Sequence, residues 1–227
     1  MKFCDKIIGF NSNLQFTATL PPGIKIMNPF TENPDALDVS SSFYKKFYDD
    51  DKPRNVILGI NPGRFGAGVT GIPFTDTKRL QQQCGIEWNG QTTHETSSVF
   101  IYKMIDAYGG PEKFYNNYFI NSVSPLGFVI RDKKGKEKNY NYYDNAELLS
   151  TVEPFIISSI QKILCIGVHS DVCFCLEKGK NFNYLKTLNQ KMKFFGEIIP
   201  LEHPRYIMQY RRKKMNEYIH KYVQVLV

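Results

Sequence analysis

The chain has 227 residues, 42% of them hydrophobic, which supplies a sizeable core and excludes a disordered or fibrous protein. Its formal net charge is +7, and it carries 14 Tyr and 17 Phe. Cations neutralise phosphates and rings stack on bases, so the balance suits a nucleic-acid partner, although charge alone also fits many soluble domains.

In chain order, a first helix is broken by Leu20-Pro21-Pro22-Gly23, and Ala36–Phe47 reads as a second. The apolar run Asn55–Ile60 reads as a buried strand. It feeds a loop with glycines at 63, 66, 68 and 71, closed by Pro73-Phe74. Such a loop lets backbone approach something flat or phosphorylated. Glu95–Tyr108 has a helical stripe of Val99, Ile101, Tyr102, Ile105 and Tyr108. Tyr118–Asn121 is a second strand. Residues 131–142, RDKKGKEKNYNY, form an exposed loop or hairpin turning near Gly135. Asp144–Ile160 is helical, Ile163–Val168 reads as a third strand, and Asp171–Leu176 starts another helix. Glu197–Leu201 is a fourth strand. Arg205–Val227 ends the chain as a helix with an apolar stripe of Met215, Tyr218, Ile219, Tyr222, Val223 and Leu226, behind the cations Arg211, Arg212, Lys213 and Lys214. Strands alternating with helices predict one α/β domain over 1–227, a three-layer αβα fold with a central four-stranded, mostly parallel sheet.

Five cysteines, an odd number with no C-x-x-C pair, argue against a zinc or iron–sulfur site, so no metal or cofactor is expected. Cys165 reads as a core residue. Free thiols fit a reducing compartment. MKFCDKIIGF has no apolar segment of signal-peptide length, and no 18-residue apolar run occurs. An intracellular, soluble monomer without membrane attachment is expected.

Ligands of open parallel sheets bind beyond the carboxyl ends of the strands. Asn61 and the glycine loop follow the first strand. Asn121-Ser122 end the second. His169-Ser170-Asp171 follow the third, where His169 and Ser170 read as caps of the next helix. His203-Pro204-Arg205 follow the fourth. Taken singly, Asn61 is a turn former or a functional amide, and His203 a loop residue or a functional imidazole. Phe74 is a core ring or a stacking platform. The loop lacks both the G-x-G-x-x-G order and the Walker lysine.

The stretch GINPGRFGAGVTGIPF, residues 59–74, resembles the first motif of the uracil-DNA glycosylase superfamily. It is most similar to the single-strand-selective monofunctional branch, whose motif reads GMNPGPFGMAQTGVPFG. Met27-Asn28-Pro29-Phe30, Glu95-Thr96-Ser97-Ser98 and His203-Pro204 resemble further elements of that branch. The resemblance implies a monofunctional DNA glycosylase that removes uracil, and other deaminated bases such as xanthine, in base excision repair. Its substrate would be damaged DNA, single- or double-stranded. Asn61 would position the attacking water and His203 would hydrogen-bond the uracil O2. Ile60, Gly63, Arg64, Ala67, Phe74 and Asn121 would bind the base. Pro204, Arg205, Tyr206, Ile207, Arg211, Arg212, Lys213 and Lys214 would bind DNA, with Arg205, Tyr206 or Ile207 as the wedge.

Three departures stand out. Arg64 replaces a proline. Asn121 lies four residues before Pro125-Leu126 where three is usual. The family's His-Pro-Ser-Pro-Arg-Asn becomes His203-Pro204-Arg205-Tyr206-Ile207-Met208. A mismatch-specific thymine or uracil glycosylase and a non-catalytic binder of damaged DNA are the alternatives.

Overall fold

A computed structural model of the chain describes residues 1–226. The elements run α1 (Phe3–Ser12), β1 (Ile24–Met27), α2 (Pro29–Glu32), α3 (Pro34–Phe47), β2 (Arg54–Gly59) and α4 (Ala67–Thr70). Next come α5 (Thr77–Gln82), α6 (Thr96–Tyr108), α7 (Pro111–Asn117), β3 (Tyr118–Ser122), β4 (Gly127–Arg131) and β5 (Glu137–Tyr140). Then follow α8 (Ala146–Ile166), β6 (Val168–Leu176), α9 (Lys180–Met192), β7 (Glu197–Leu201), α10 (Pro204–Tyr210) and α11 (Met215–Val225).

The central sheet has the order β3-β2-β6-β7, and every pairing in it is parallel. β3 is buried throughout and β2 nearly so, because helices cover both faces of the sheet. One group of helices joins α1 to α3 and α8; another joins α6 to α10 and α11. Register aligns the functional ends: Leu58 lies beside Asn121 and Cys175, and Leu176 beside Leu201. The segments after β2, β6 and β7 therefore leave the sheet at one edge. The start of β2 is fixed by Arg54, whose buried guanidinium pairs with Asp50 at 2.8 Å and donates to the Tyr115 carbonyl at 3.0 Å.

A second sheet, β1-β4-β5, is antiparallel and was not legible in the sequence except for its hairpin, which turns at Gly135 (φ 76°).

Four expectations are corrected. Ile163–Val168 is not a strand: buried Ile156, Ile160 and Ile163 keep a helical period, so α8 runs to Ile166 and stops at left-handed Gly167 (φ 110°). Asp171–Leu176 is not helical but the core of β6, where Cys173, Phe174 and Cys175 are buried between β2 and β7. His169, Ser170 and Asp171 thus lie exposed at the amino end of β6, away from the carboxyl edge. Cys165 is on the solvent side of α8 rather than in the core.

Both ends of the chain also break differently. The first helix ends at Ser12, before the prolines. The last segment splits into α10, a short 3-10 turn over Arg212–Lys214, and α11, while Val227 lies outside the described residues. α8 is long and apolar enough to cross a membrane by composition, but it packs on α1 and β6 with Leu148, Val152, Ile156 and Ile160 buried.

Candidate active site

Asn61 leaves the carboxyl end of β2 and is held by the end of β5. Its Nδ2 donates to the Tyr140 carbonyl at 3.2 Å, and its Oδ1 accepts the Tyr142 backbone N–H at 3.2 Å. The Asn139 side-chain oxygen accepts the Arg64 backbone N–H at 3.1 Å. The polar 131–142 segment is therefore a hairpin whose second strand clamps the glycine loop.

The loop closes on itself. Gly66 and Gly68 both donate to the Gly63 carbonyl, at 3.2 and 2.9 Å, and Thr70 Oγ1 donates to the Thr75 carbonyl at 2.6 Å. Phe74 adopts φ 53°, a left-handed conformation unusual for an aromatic residue. Its ring lies against Gly59, where a β-carbon would come within 3.0 Å of it. Glycine at the strand end thus makes room for the ring. The Phe74 and His203 ring centres are 6.0 Å apart.

His203 follows β7 at the N-cap of α10 and is half-buried. Its Nδ1 accepts the Arg205 backbone N–H at 3.1 Å. Burial, then the positive charge of Arg205, holds its pKa down to about 4.

Ile60, Asn61, Gly63, Phe74, His203, Arg205 and Tyr206 border one cleft of about 270 Å³. Two carboxylates and several further groups that the sequence did not single out for this role join them. Glu95 precedes α6; its Oε2 accepts Ser98 Oγ at 2.8 Å, and its backbone N–H donates to Asp76 at 2.6 Å. A β-carbon at Gly63 would lie 2.9 Å from the Glu95 carboxylate, and one at Gly66 would overlap it. Burial pushes the Glu95 pKa up to about 7; the Ser98 hydrogen bond opposes the rise and the Asp76 charge adds to it. Glu177 follows β6, and its Oε2 accepts the backbone N–H of Asn181 in the first turn of α9 at 2.7 Å. Asn139 and Tyr210 also lie on the rim. Only topology gathers these groups: Glu177 follows a segment read as helical, and Asn139 a segment read as solvated.

Other expected residues lie elsewhere. Asn121 and Ala67 line a separate void of about 20 Å³, walled by Pro62, which also borders the main cleft. The Asn121 oxygen accepts the Ser122 backbone N–H at 2.8 Å. Arg64 does not border the main cleft but faces a neighbouring one. Pro204 and Ile207 are corrected as DNA-contacting residues: both are buried, Ile207 at 0% exposure, because α10 turns that face onto α6. Ile207 cannot be a wedge. Tyr206 and Tyr210 are exposed at 39% and 67%, with ring centres 5.6 Å apart. Arg211 lies over the Tyr206 ring, and Arg212, Lys213 and Lys214 are exposed in the turn before α11.

A family model for the uracil DNA glycosylase superfamily matches residues 45–227. The chain belongs to the uracil DNA glycosylase superfamily. The crystal structure of wild-type Pedobacter heparinus SMUG2 superposes with a TM-score of 0.97 at 52% identity, covering 99% of this chain and 97% of that one. No curated protein matches the chain. The superfamily and the SMUG2 likeness identify a DNA glycosylase with the three-layer α/β fold, a hydrolase of base excision repair that acts on DNA. Within that superfamily the cleft between β2 and β7 is the candidate active site.

Proposed function

We propose that this glycosylase hydrolyses the N-glycosidic bond of deoxyuridine flipped out of DNA, leaving an abasic site. The observation that carries the reading is that Asn61 and His203 border one cleft, each held by backbone groups in a defined orientation.

The target carbon is shielded inside a stacked strand, so the nucleotide must leave the stack. Phe74 offers a ring against which the base can lie. As the bond to the sugar lengthens, negative charge gathers on uracil O2. Nδ1 of His203 is occupied as an acceptor, so the ring proton sits on Nε2. With its pKa near 4 the imidazole is neutral at pH 7 and donates that proton as a hydrogen bond to the developing anion. Asn61 Oδ1 gives one lone pair to Tyr142 and keeps the other for a water. A neutral amide is a weak base, but an oxocarbenium-like sugar needs little assistance. No lysine takes a nucleophile's place in this scheme, so the enzyme releases the abasic product without a lyase step.

Asn121 carries an amide donor and acceptor suited to the uracil edge. The void beside it has room for a water but not for a base. Reading by Asn121 therefore accompanies displacement of the Pro62 wall. Tyr206 and Tyr210 are the wedge, and Arg211–Lys214 hold phosphates beside it.

Excision assays on single-stranded, paired and mismatched oligonucleotides, each carrying one deaminated base, test this reading. Release of uracil supports it. Release of thymine from G·T pairs with uracil spared would favour the mismatch-specific alternative, and binding without release a non-catalytic role.

A further inference from the structure

The family resemblance sets Arg64, the one charged residue of the glycine loop, against the base, but the residue does not border the first cleft. Its side chain faces a second cleft of about 540 Å³, twice the volume of the first, between the β4–β5 hairpin and helices α6 and α10. Glu95, Ser97, Asn139, Arg205 and Gln209 border both clefts, so the two adjoin.

The geometry points to this second cleft as a nucleotide-binding subsite that takes the residue next to the excised one on a single strand. The position relative to the lesion rests on the glycosylase reading of the first cleft.

Charge is the first argument. Among the described residues, Arg64, Lys136 and Arg205 face the cleft with no carboxylate at ion-pair distance. The other charges are mostly spent: Lys138 pairs with Asp132 at 3.1 Å, and Glu137 with Arg131 at 3.5 Å. Glu95, the remaining carboxylate, is drawn towards its neutral form by burial, against the opposing charge of Arg205. Three cations outside ion pairs on one concave surface suit a phosphodiester.

Stacking is the second. Phe65, beside Arg64 on the loop, is 49% exposed, unusual for a phenylalanine. The Arg64 guanidinium lies 4.8 Å from its ring centre, and the Arg64 Nε is buried without a hydrogen-bond partner. An exposed ring beside a guanidinium with no carboxylate partner is a poor arrangement for a free protein and a good one for a nucleotide, which supplies both a phosphate and a π face. A paired neighbour inside a duplex cannot turn onto Phe65; an unpaired one can. The subsite thus favours single strands.

The test uses single-stranded oligonucleotides carrying 2′-fluoro-2′-deoxyuridine, a slowly cleaved analogue, lengthened one nucleotide at a time on the 5′ or the 3′ side. Fluorescence anisotropy of the wild-type protein should show one step of about tenfold tighter binding on one side only. The double variant Phe65→Ala, Lys136→Ala should lose that step, and Phe65→Tyr should keep it. On the shortest substrate the double variant should bind and excise uracil as the wild type does, which also shows that it is folded. Two results overturn the proposal: a length step that survives the double variant, or an equal loss at every length. Unmodified single strands serve as a parallel series. If the wild type excises no uracil, the glycosylase reading fails, while a Phe65-dependent step on those strands still reports the subsite.

Discussion

Nδ1 of His203 accepts the backbone N–H of Arg205, two residues on, at 3.1 Å. That bond fixes the imidazole tautomer, and burial with the nearby Arg205 charge keeps the ring neutral. His203→Ala should lower kcat by about 10²–10³-fold with little change in KM, because the interaction forms with the leaving anion. Single-turnover excision at saturating enzyme checks this. In the wild type, excision should not fall through His203 protonation until pH drops towards 4.

Glu95 provides a pH dependence of stability with a defined sign. Its folded pKa, about 7, lies above the ordinary value of 4.5, so between those pH values the folded state binds more protons than the unfolded chain. Stability contributed by Glu95 is therefore present below pH 4.5 and is lost as pH rises through 7. Glu95→Gln should raise Tm relative to the wild type at pH 8 and lose that advantage at pH 4.5. Thermal melts at both pH values check the difference.

The buried and exposed faces of α10 separate folding from wedging. Ile207→Ala removes a fully buried side chain and should cost about 2–5 kcal/mol of stability, measured by urea unfolding. Excision per folded molecule should stay near wild type. Tyr206→Ala with Tyr210→Ala should leave stability nearly unchanged and lower excision from duplex about tenfold more than from single strand.

Changing Arg211 and Lys214 to Gln should weaken DNA binding regardless of sequence. Loss of two phosphate contacts should flatten the slope of log K against log salt by about 1.4 on single strands. Anisotropy titrations over a salt series give the slope; an unchanged one would move the strand path away from this turn.

How much of this was legible in the sequence depends on range. Asn55–Ile60 and Glu197–Leu201 are short apolar runs flanked by turn residues, and both form strands close to those limits. Ile163–Val168 fails because a short apolar run has no period of its own, and the helix beginning at Ala146 extends through it. Asn61, Phe74 and His203 were readable because each directly follows a strand or closes its loop. Glu177 was hidden by the misplaced β6, and Asn139 by the polarity of its hairpin. Arg64 and Ile207 sit in recognisable motifs, yet only the turn of the loop and of α10 decides which way each side chain faces.

In the proposed mechanism Asn61 holds the attacking water while other groups bind the base and strand. Single-turnover release of uracil from a single-stranded oligonucleotide by Asn61→Ala tests it most directly. The rate should fall by about 10²-fold or more, with Kd for the same oligonucleotide within about threefold of wild type. Release at the wild-type rate would contradict the account and remove Asn61 from the mechanism.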